Sequence, residues 1–342
     1  MITISLKYLR HRLLAGHRNG YGIHSPFVYD LVRNVVFDKN RWDVPGRLRE
    51  YHHKTRNADG SLQVHDLGAG SRLRGSLGEV TASRLRGGKG EVTADRLRGS
   101  GKKETGKGKK EIGRGQKETG DGNVETSRGQ DGTVRGKELV GNGKQVTENG
   151  KGLIAGTERK ISSIARRSSV TRRQGALLYR LAKWYRPAAV IEAGTGLGIS
   201  TSYLAAGAGH AGVTTIEGSP PKFRFAQSHT DVAGSGGLEF LLGSFDAYFD
   251  VLVENAPNRT LFFIDGDHRY VPTMQRISSI LDKEELSETM VILDDIYWSD
   301  EMERAWKASC VLPGVDISLD LFHMGILIRR PGISRHHFRI NF

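Results

Sequence analysis

From Leu177 onward the apolar positions recur in two rhythms, and the switches between them mark the elements. Leu177, Leu178, Leu181, Ala182 and Tyr185 fall at helical spacing, and that run stops at Pro187. Short apolar runs bounded by turn residues follow at 189–193, 212–217, 238–242, 260–265 and 289–294, and each predicts a strand. Between them lie segments of helical length at about 198–208, 219–230, 244–255, 270–283 and 299–309. Such alternation predicts a parallel sheet covered by helices on both faces. Two strand candidates without a helix between them, Val315 to Leu321 and Gly325 to Arg329, close the pattern and predict an antiparallel hairpin at one end. The expected class is α/β, a doubly wound sheet of seven strands, mostly parallel.

Upstream the pattern weakens. Residues 1–71 read as an N-terminal helical extension, with a helix starting near Pro26, a favourable first-turn position. Between Arg72 and Lys160 lie about half of the 44 glycines and about 21 Lys or Arg against about 12 Asp or Glu, roughly +9 of the formal +13 charge. No Phe, Tyr or Trp occurs between Tyr51 and Tyr179. A tract without large apolar side chains cannot offset the entropy of ordering its glycines, so 72–158 is expected to be a disordered insertion. It is also repetitive. Ser71-Arg72-Leu73-Arg74-Gly75 returns at Ser83 and, with one change, at Asp95, a period of twelve that is too short for helical solenoids. Arg159 to Ser169 reads as an amphipathic helix that rejoins the extension after the insertion and covers the mouth of a site. The remaining residues, 159–342, form the main domain.

The basic tract raises the possibility of phosphate neutralisation and hence nucleic-acid binding. Interspersed acids and the lack of aromatics for base stacking weigh against it. A single cysteine, Cys310, excludes an intramolecular disulfide and fits a reducing compartment. Charge interrupts the N-terminus before a signal-peptide core can form, and no run approaches 18 apolar residues. A cytoplasmic protein with no membrane span is expected.

The candidate chemistry begins at Ala189-Val190-Ile191-Glu192-Ala193-Gly194-Thr195-Gly196-Leu197-Gly198-Ile199-Ser200, which reads as strand, glycine turn and helix start. This arrangement lets backbone N–H groups approach a nucleotide-like ligand. Roughly 20 residues later the next strand ends in Glu217, where a carboxylate can accept both ribose hydroxyls. His65-Asp66-Leu67-Gly68-Ala69-Gly70-Ser71 is a similar string, but the repeat tract follows it in place of a helix. Glu192 to Gly198 resembles the acidic-x-Gly-x-Gly-x-Gly loop of class I S-adenosylmethionine-dependent methyltransferases, whose layout is five parallel strands plus a hairpin. The resemblance implies a Rossmann-like sheet with S-adenosylmethionine as cofactor. It would set Glu192 against the methionine amino group, Gly194, Thr195, Gly196 and Gly198 under the ligand, Glu217 on the ribose, and Ser244 and Phe245 beside the adenine. An NAD(P)-dependent oxidoreductase is the alternative reading of a glycine loop with an acid at this distance.

A second constellation lies at Leu261 to Tyr270, where Asp265, Asp267 and His268 follow a strand, and at Met290 to Trp298, where Asp294 and Asp295 end the next. Carboxylates at adjacent strand ends offer hard oxygen ligands suited to Mg²⁺. The pattern is similar to the metal-dependent O-methyltransferases of the catechol and caffeoyl-CoA type. That resemblance implies Asp265, Asp294 and Asp295 as metal ligands, Asp295 standing where Asn is commoner. It implies Asp265 at both cofactor and catalytic centre, with His268 as general base where the catechol enzymes carry a lysine. Asp267 either orients His268 or caps the following helix. The implied reaction is O-methylation of a small-molecule hydroxyl, with the acceptor open among catechol-like, sugar and other compounds. Tyr21, His24 and Phe27 either line a substrate pocket or pack the first helix on the domain.

Overall fold

A computed structural model describes residues 3–17, 20, 22–38, 44–64, 157–230 and 237–342. The repeat tract lies outside the described residues except for Thr157 and Glu158, and so do Tyr21 and the His65 to Ser71 string. The segment 65–156 leaves and re-enters the described fold through an antiparallel ribbon, β1 (Ser61–Val64) against β2 (Thr157–Lys160), in which Val64 faces Thr157.

Among the described residues, helices precede the main sheet. They are α1 (Ile4–Leu14), α2 (Pro26–Leu31, continued by a π turn over Val32–Val36), α3 (Gly46–Arg56) and α4 (Ile161–Ser168). A fifth, α5 (Arg172–Tyr185), starts earlier than its apolar spacing predicts, because Thr171 and Gln174 form a reciprocal capping box. Then follow β3 (Ala189–Ala193), α6 (Ile199–Ala208), β4 (Gly212–Glu217), α7 (Pro220–His229), β5 (Leu238–Leu242), α8 (Phe245–Glu254), β6 (Thr260–Ile264), α9 (Tyr270–Asp282), β7 (Thr289–Asp294) and α10 (Asp300–Ser309). The chain ends in β8 (Ile317–Asp320), β9 (Met324–Arg329) and β10 (His336–Arg339).

The sheet order is β10-β8-β9-β7-β6-β3-β4-β5, with β9 antiparallel to both its neighbours. The seven expected strands are present, five parallel ones and the hairpin. An eighth, β10, runs parallel to β8 at the edge. Its residues His336, His337, Phe338 and Arg339 include one apolar side chain, so no alternation announces it.

Strand alternation divides the core between the two faces. Val190 and Phe263 join α5, α6 and the N-terminal helices on one side, while Ile191 and Phe262 join α8, α9 and Trp306 of α10 on the other. Chain direction across the sheet reverses at β3, whose neighbours are β4 and β6. A crevice opens outside the carboxyl ends of strands at such a switch point.

The N-terminal helices dock at opposite ends of the sheet. α1 turns Lys7 and His11 inward, Lys7 Nζ reaching Asp300 at 2.8 Å and Glu303 at 2.9 Å, and His11 Nε2 reaching Asp320 at 3.0 Å. Phe27 instead packs on Trp184, ring centroids 5.1 Å apart, with the Arg330 guanidinium 4.5 Å from its ring centroid. Arg330 follows the residue that pairs with Thr289 at the start of β7, so Phe27 sits away from the carboxyl ends. His24 is exposed. Of the two readings of these residues, packing is what the fold uses for Phe27.

Candidate functional site

The loop after β3 crosses the switch point with φ of 116° at Gly194, 57° at Gly196 and 76° at Gly198. Each value lies where a side chain is strained. A Cβ on Gly194 would stand 1.9 Å from the carbonyl oxygen of Asp265, so the loop rests directly on the end of β6. The N–H groups of Gly194 and Thr195 donate to the Ile216 carbonyl at 3.0 and 3.1 Å, which ties the loop to β4 as well. Over Gly196 nothing lies within 4 Å of the Cβ position, leaving open space above the loop.

Glu217 closes this unit. Its Oε2 accepts from the Gly196 N–H at 2.8 Å and its Oε1 from the Ser219 N–H at 2.8 Å. Burial pushes its carboxyl above the usual range, opposed by Lys222 and by these backbone donors. Glu192 is fully buried at the end of β3. Its Oε2 accepts from the hydroxyls of Thr201 at 2.5 Å and Thr215 at 2.7 Å, while Oε1 has no partner. The hydroxyls of Thr195 and Thr215 are 2.6 Å apart, so the Thr195 side chain joins this buried string. Burial raises the Glu192 carboxyl too, against the pull of Ser200, Thr201 and Thr215.

Ser244 and Phe245 begin α8 on the far side of Glu217, whose carbonyl accepts from Gly243 N–H at 3.0 Å. The Phe245 ring lies against Gly266, with the Arg276 guanidinium 5.1 Å from its centroid.

The second constellation borders the first. Asp265 N–H donates to the Ala193 carbonyl at 2.8 Å, which fixes the loop after β6 beside the glycine turn. Burial, then Asp294, Asp295 and Glu192, push the Asp265 carboxyl well above its ordinary range. Asp294 is 6% exposed with Oδ1 unpartnered, and burial and Asp295 push it up likewise. Asp295 adopts φ 52° and donates its N–H to the His323 carbonyl at 2.7 Å. Burial raises its carboxyl, and the charges of His268 and His323 oppose that. His268 Nε2 stands 3.9 Å from Asp265 Oδ1. Burial lowers the His268 pKa while Asp295 and Asp267 pull it up.

Asp267 takes neither expected role. It accepts from Arg269 Nε at 2.6 Å and from an Arg276 guanidinium nitrogen at 3.1 Å, and this pairing outweighs burial to hold its carboxyl low. The first N–H of α9, at Tyr270, is met instead by Glu301 at 2.9 Å. Among the described residues no group of three or more His, Cys, Asp and Glu is arranged to hold a metal ion. Asp265, Asp294 and Asp295 are neighbours at strand ends, but Asp295 faces two imidazoles and one Asp294 oxygen is sealed in. The three are not brought together as a ligand set among the described residues.

Two residues beyond the motifs reach the site. Tyr51 of α3 donates its hydroxyl to the Leu197 carbonyl at 2.6 Å, tying the glycine loop to α3. α4, expected to cover the mouth, packs on α3 through Arg166, whose guanidinium donates to the Arg56 carbonyl. His323, in the β8–β9 turn, faces Asp295.

No protein-family model matches the chain, and no curated protein matches it. Among solved structures, it is similar to cofactor-bound Rv0187 from MTB, with 24% identity, a TM-score of 0.41 and 48% of this chain matched to 83% of that one. It is similar to the O-methyltransferase from Bacillus cereus in complex with SAH, at 18% identity and TM-score 0.40, over 47% of this chain and 83% of that one. SAH-bound methyltransferase PaMTH1 from Podospora anserina matches 48% of this chain with 81% of its own, at 18% identity and TM-score 0.41.

Proposed function

We propose that this chain is an S-adenosylmethionine-dependent methyltransferase that methylates a hydroxyl group of a small molecule. The observation that carries the reading is the Gly196–Glu217 unit. A glycine turn with open space above it is bonded to a buried carboxylate whose two oxygens each retain a lone pair for a ribose hydroxyl. Beside it, Glu192 Oε1 is a buried acceptor without a partner, which suits the cofactor's ammonium group. Ser244 and Phe245 border the adenine in this reading, and Thr195 stiffens the loop through Thr215. The antiparallel β9, inserted between β7 and β8, departs from the 3-2-1-4-5-6 strand order of the dinucleotide-binding sheet and so favours a methyltransferase over a dehydrogenase.

When bound, the cofactor supplies an electrophilic methyl group. The protein then has to hold the acceptor in line and receive its proton. His268 takes that proton on Nε2, with Asp295 and Asp267 offsetting the imidazolium charge. Its lowered pKa keeps the ring a free base at neutral pH. The catalytic machinery lies in 159–342, and the extension 1–71 contributes Tyr51. The setting proposed is cytoplasmic.

Calorimetric titration with S-adenosylhomocysteine, NAD and NADP tests the cofactor. The homocysteine compound is expected to bind and the nicotinamides are not; the reverse result overturns the proposal. Transfer of a labelled methyl group to a panel of phenolic and sugar hydroxyls, with EDTA or with added Mg²⁺, tests the chemistry. Activity that survives EDTA supports His268 as the proton acceptor, and strict Mg²⁺ dependence would restore Asp265, Asp294 and Asp295 as ligands.

A further inference from the structure

α1 is docked with its polar residues inward. Its buried side chains are Lys7 and His11, while Leu6, Leu9 and Leu13 are 53%, 53% and 77% exposed. The inward side is held by charge, through Asp300, Glu303 and Asp320, so the leucines are left for water. Their spacing, i, i+3 and i+7, sets them in one line along the helix. Arg10 and Arg12, both exposed, flank that line on its two sides.

We propose that this stripe is a docking surface for an anionic lipid bilayer, with α1 lying in the plane of the headgroups. An apolar line bordered by arginines suits that interface: the leucines enter the acyl boundary and the guanidinium groups stay with the phosphates. The formal charge of the whole chain, +13, adds attraction to an anionic surface. Self-pairing is disfavoured by the same residues. With Leu6, Leu9 and Leu13 as the seam of a coiled coil, Arg10 and Arg12 occupy the flanking positions, where two copies would oppose like charges. The stripe also belongs to the catalytic end of the sheet. Tyr8 packs edge-on against Phe322 with centroids 4.9 Å apart and lies 6.5 Å from His323, whose carbonyl accepts the Asp295 N–H.

The test is co-sedimentation of the full chain with vesicles of phosphatidylcholine alone and of phosphatidylcholine mixed with phosphatidylserine. Binding to the mixed vesicles only, weakened by salt, is expected. The double variant L9S/L13S keeps every charge, including those of the basic tract, and is expected to reduce binding about tenfold or more. Both residues are exposed, so its melting temperature should match the wild type. The variant R10Q/R12Q should weaken binding severalfold. Full binding by L9S/L13S would assign attachment to the basic tract and overturn the proposal. So would a wild-type chain that ignores vesicles, including one that light scattering finds as a dimer dissociated by L9S/L13S. None of these readouts depends on methyl transfer.

Discussion

The Gly196 N–H donates to Glu217 Oε2 at 2.8 Å, so the glycine loop and the acid at the end of the neighbouring strand are one structural unit rather than two independent ligand contacts. Replacing Glu217 therefore has two effects. Glu217→Ala leaves the Gly196 and Ser219 N–H groups without their acceptor and removes the proposed ribose partner. Affinity for S-adenosylhomocysteine should fall about 30-fold or more, from hydrogen bonds to a charged acceptor of about 1.5–3 kcal/mol each. Glu217→Gln keeps one acceptor oxygen and should lose less. Calorimetric titration of the three proteins checks the order, and equal affinities would remove Glu217 from the cofactor site.

The glycines of the loop separate folding from binding. At Gly194 a methyl group would meet the Asp265 carbonyl oxygen at 1.9 Å with φ at 116°, so Gly194→Ala should cost about 3 kcal/mol or more of stability. At Gly196 a methyl group meets nothing, and φ of 57° costs about 1 kcal/mol. Gly196→Ala should therefore fold and melt near the wild type while losing cofactor affinity, because the methyl fills the space proposed for the ligand. Urea denaturation and cofactor titration of both variants check the contrast.

What could be read from the chain was what lies close in sequence. The loop after β3 and the carboxylates after β6 and β7 are short strings in which residue type and spacing state their own geometry. Tyr51 was not legible, because its partner Leu197 is 146 residues away and nothing near Tyr51 marks it. The orientation of α1 was equally hidden. Its leucines alone would be placed inward, and only Asp300, Glu303 and Asp320, at the other end of the chain, draw Lys7 and His11 into the interior. Asp267 misled for the same reason: its partner Arg276 sits two turns into the next helix, so a role toward His268 looked nearer than it is.

Tyr51 offers a direct check on that long-range grip. Tyr51→Phe removes the bond to the Leu197 carbonyl and keeps the ring packing. Cofactor affinity should weaken about 3- to 10-fold, the net worth of one hydrogen bond. An unchanged affinity would make the contact purely structural.

His268 gives the pH dependence of the reaction its expected form. As a general base it works only when neutral, and burial places its pKa below the ordinary 6.5. The rate with saturating substrates should climb as pH rises through that lowered value and then level off. His268→Gln should reduce kcat by about 10²-fold or more and abolish the acidic limb. A variant that is slow but keeps the same limb would show the titrating group to be another residue, with Asp265 and Asp295 beside it.

Asp294 links the site to stability, and the sign follows from its burial. Its carboxyl is pushed well above the usual range by burial and by Asp295, so the folded chain binds its proton more tightly than the unfolded chain does. The stabilisation from that proton is complete below the unfolded value of about 3.9 and is lost as pH rises through the raised folded value. Asp294→Asn keeps the shape and removes the ionisable group. At neutral pH it should stabilise the chain, with little gain near pH 4, and the decline in stability on the alkaline side should flatten. Urea denaturation across that range checks it. A loss of stability at neutral pH would mean that Asp294 is ionised and paired with a cation, and repeating the series with Mg²⁺ and EDTA would tell whether that cation is the metal.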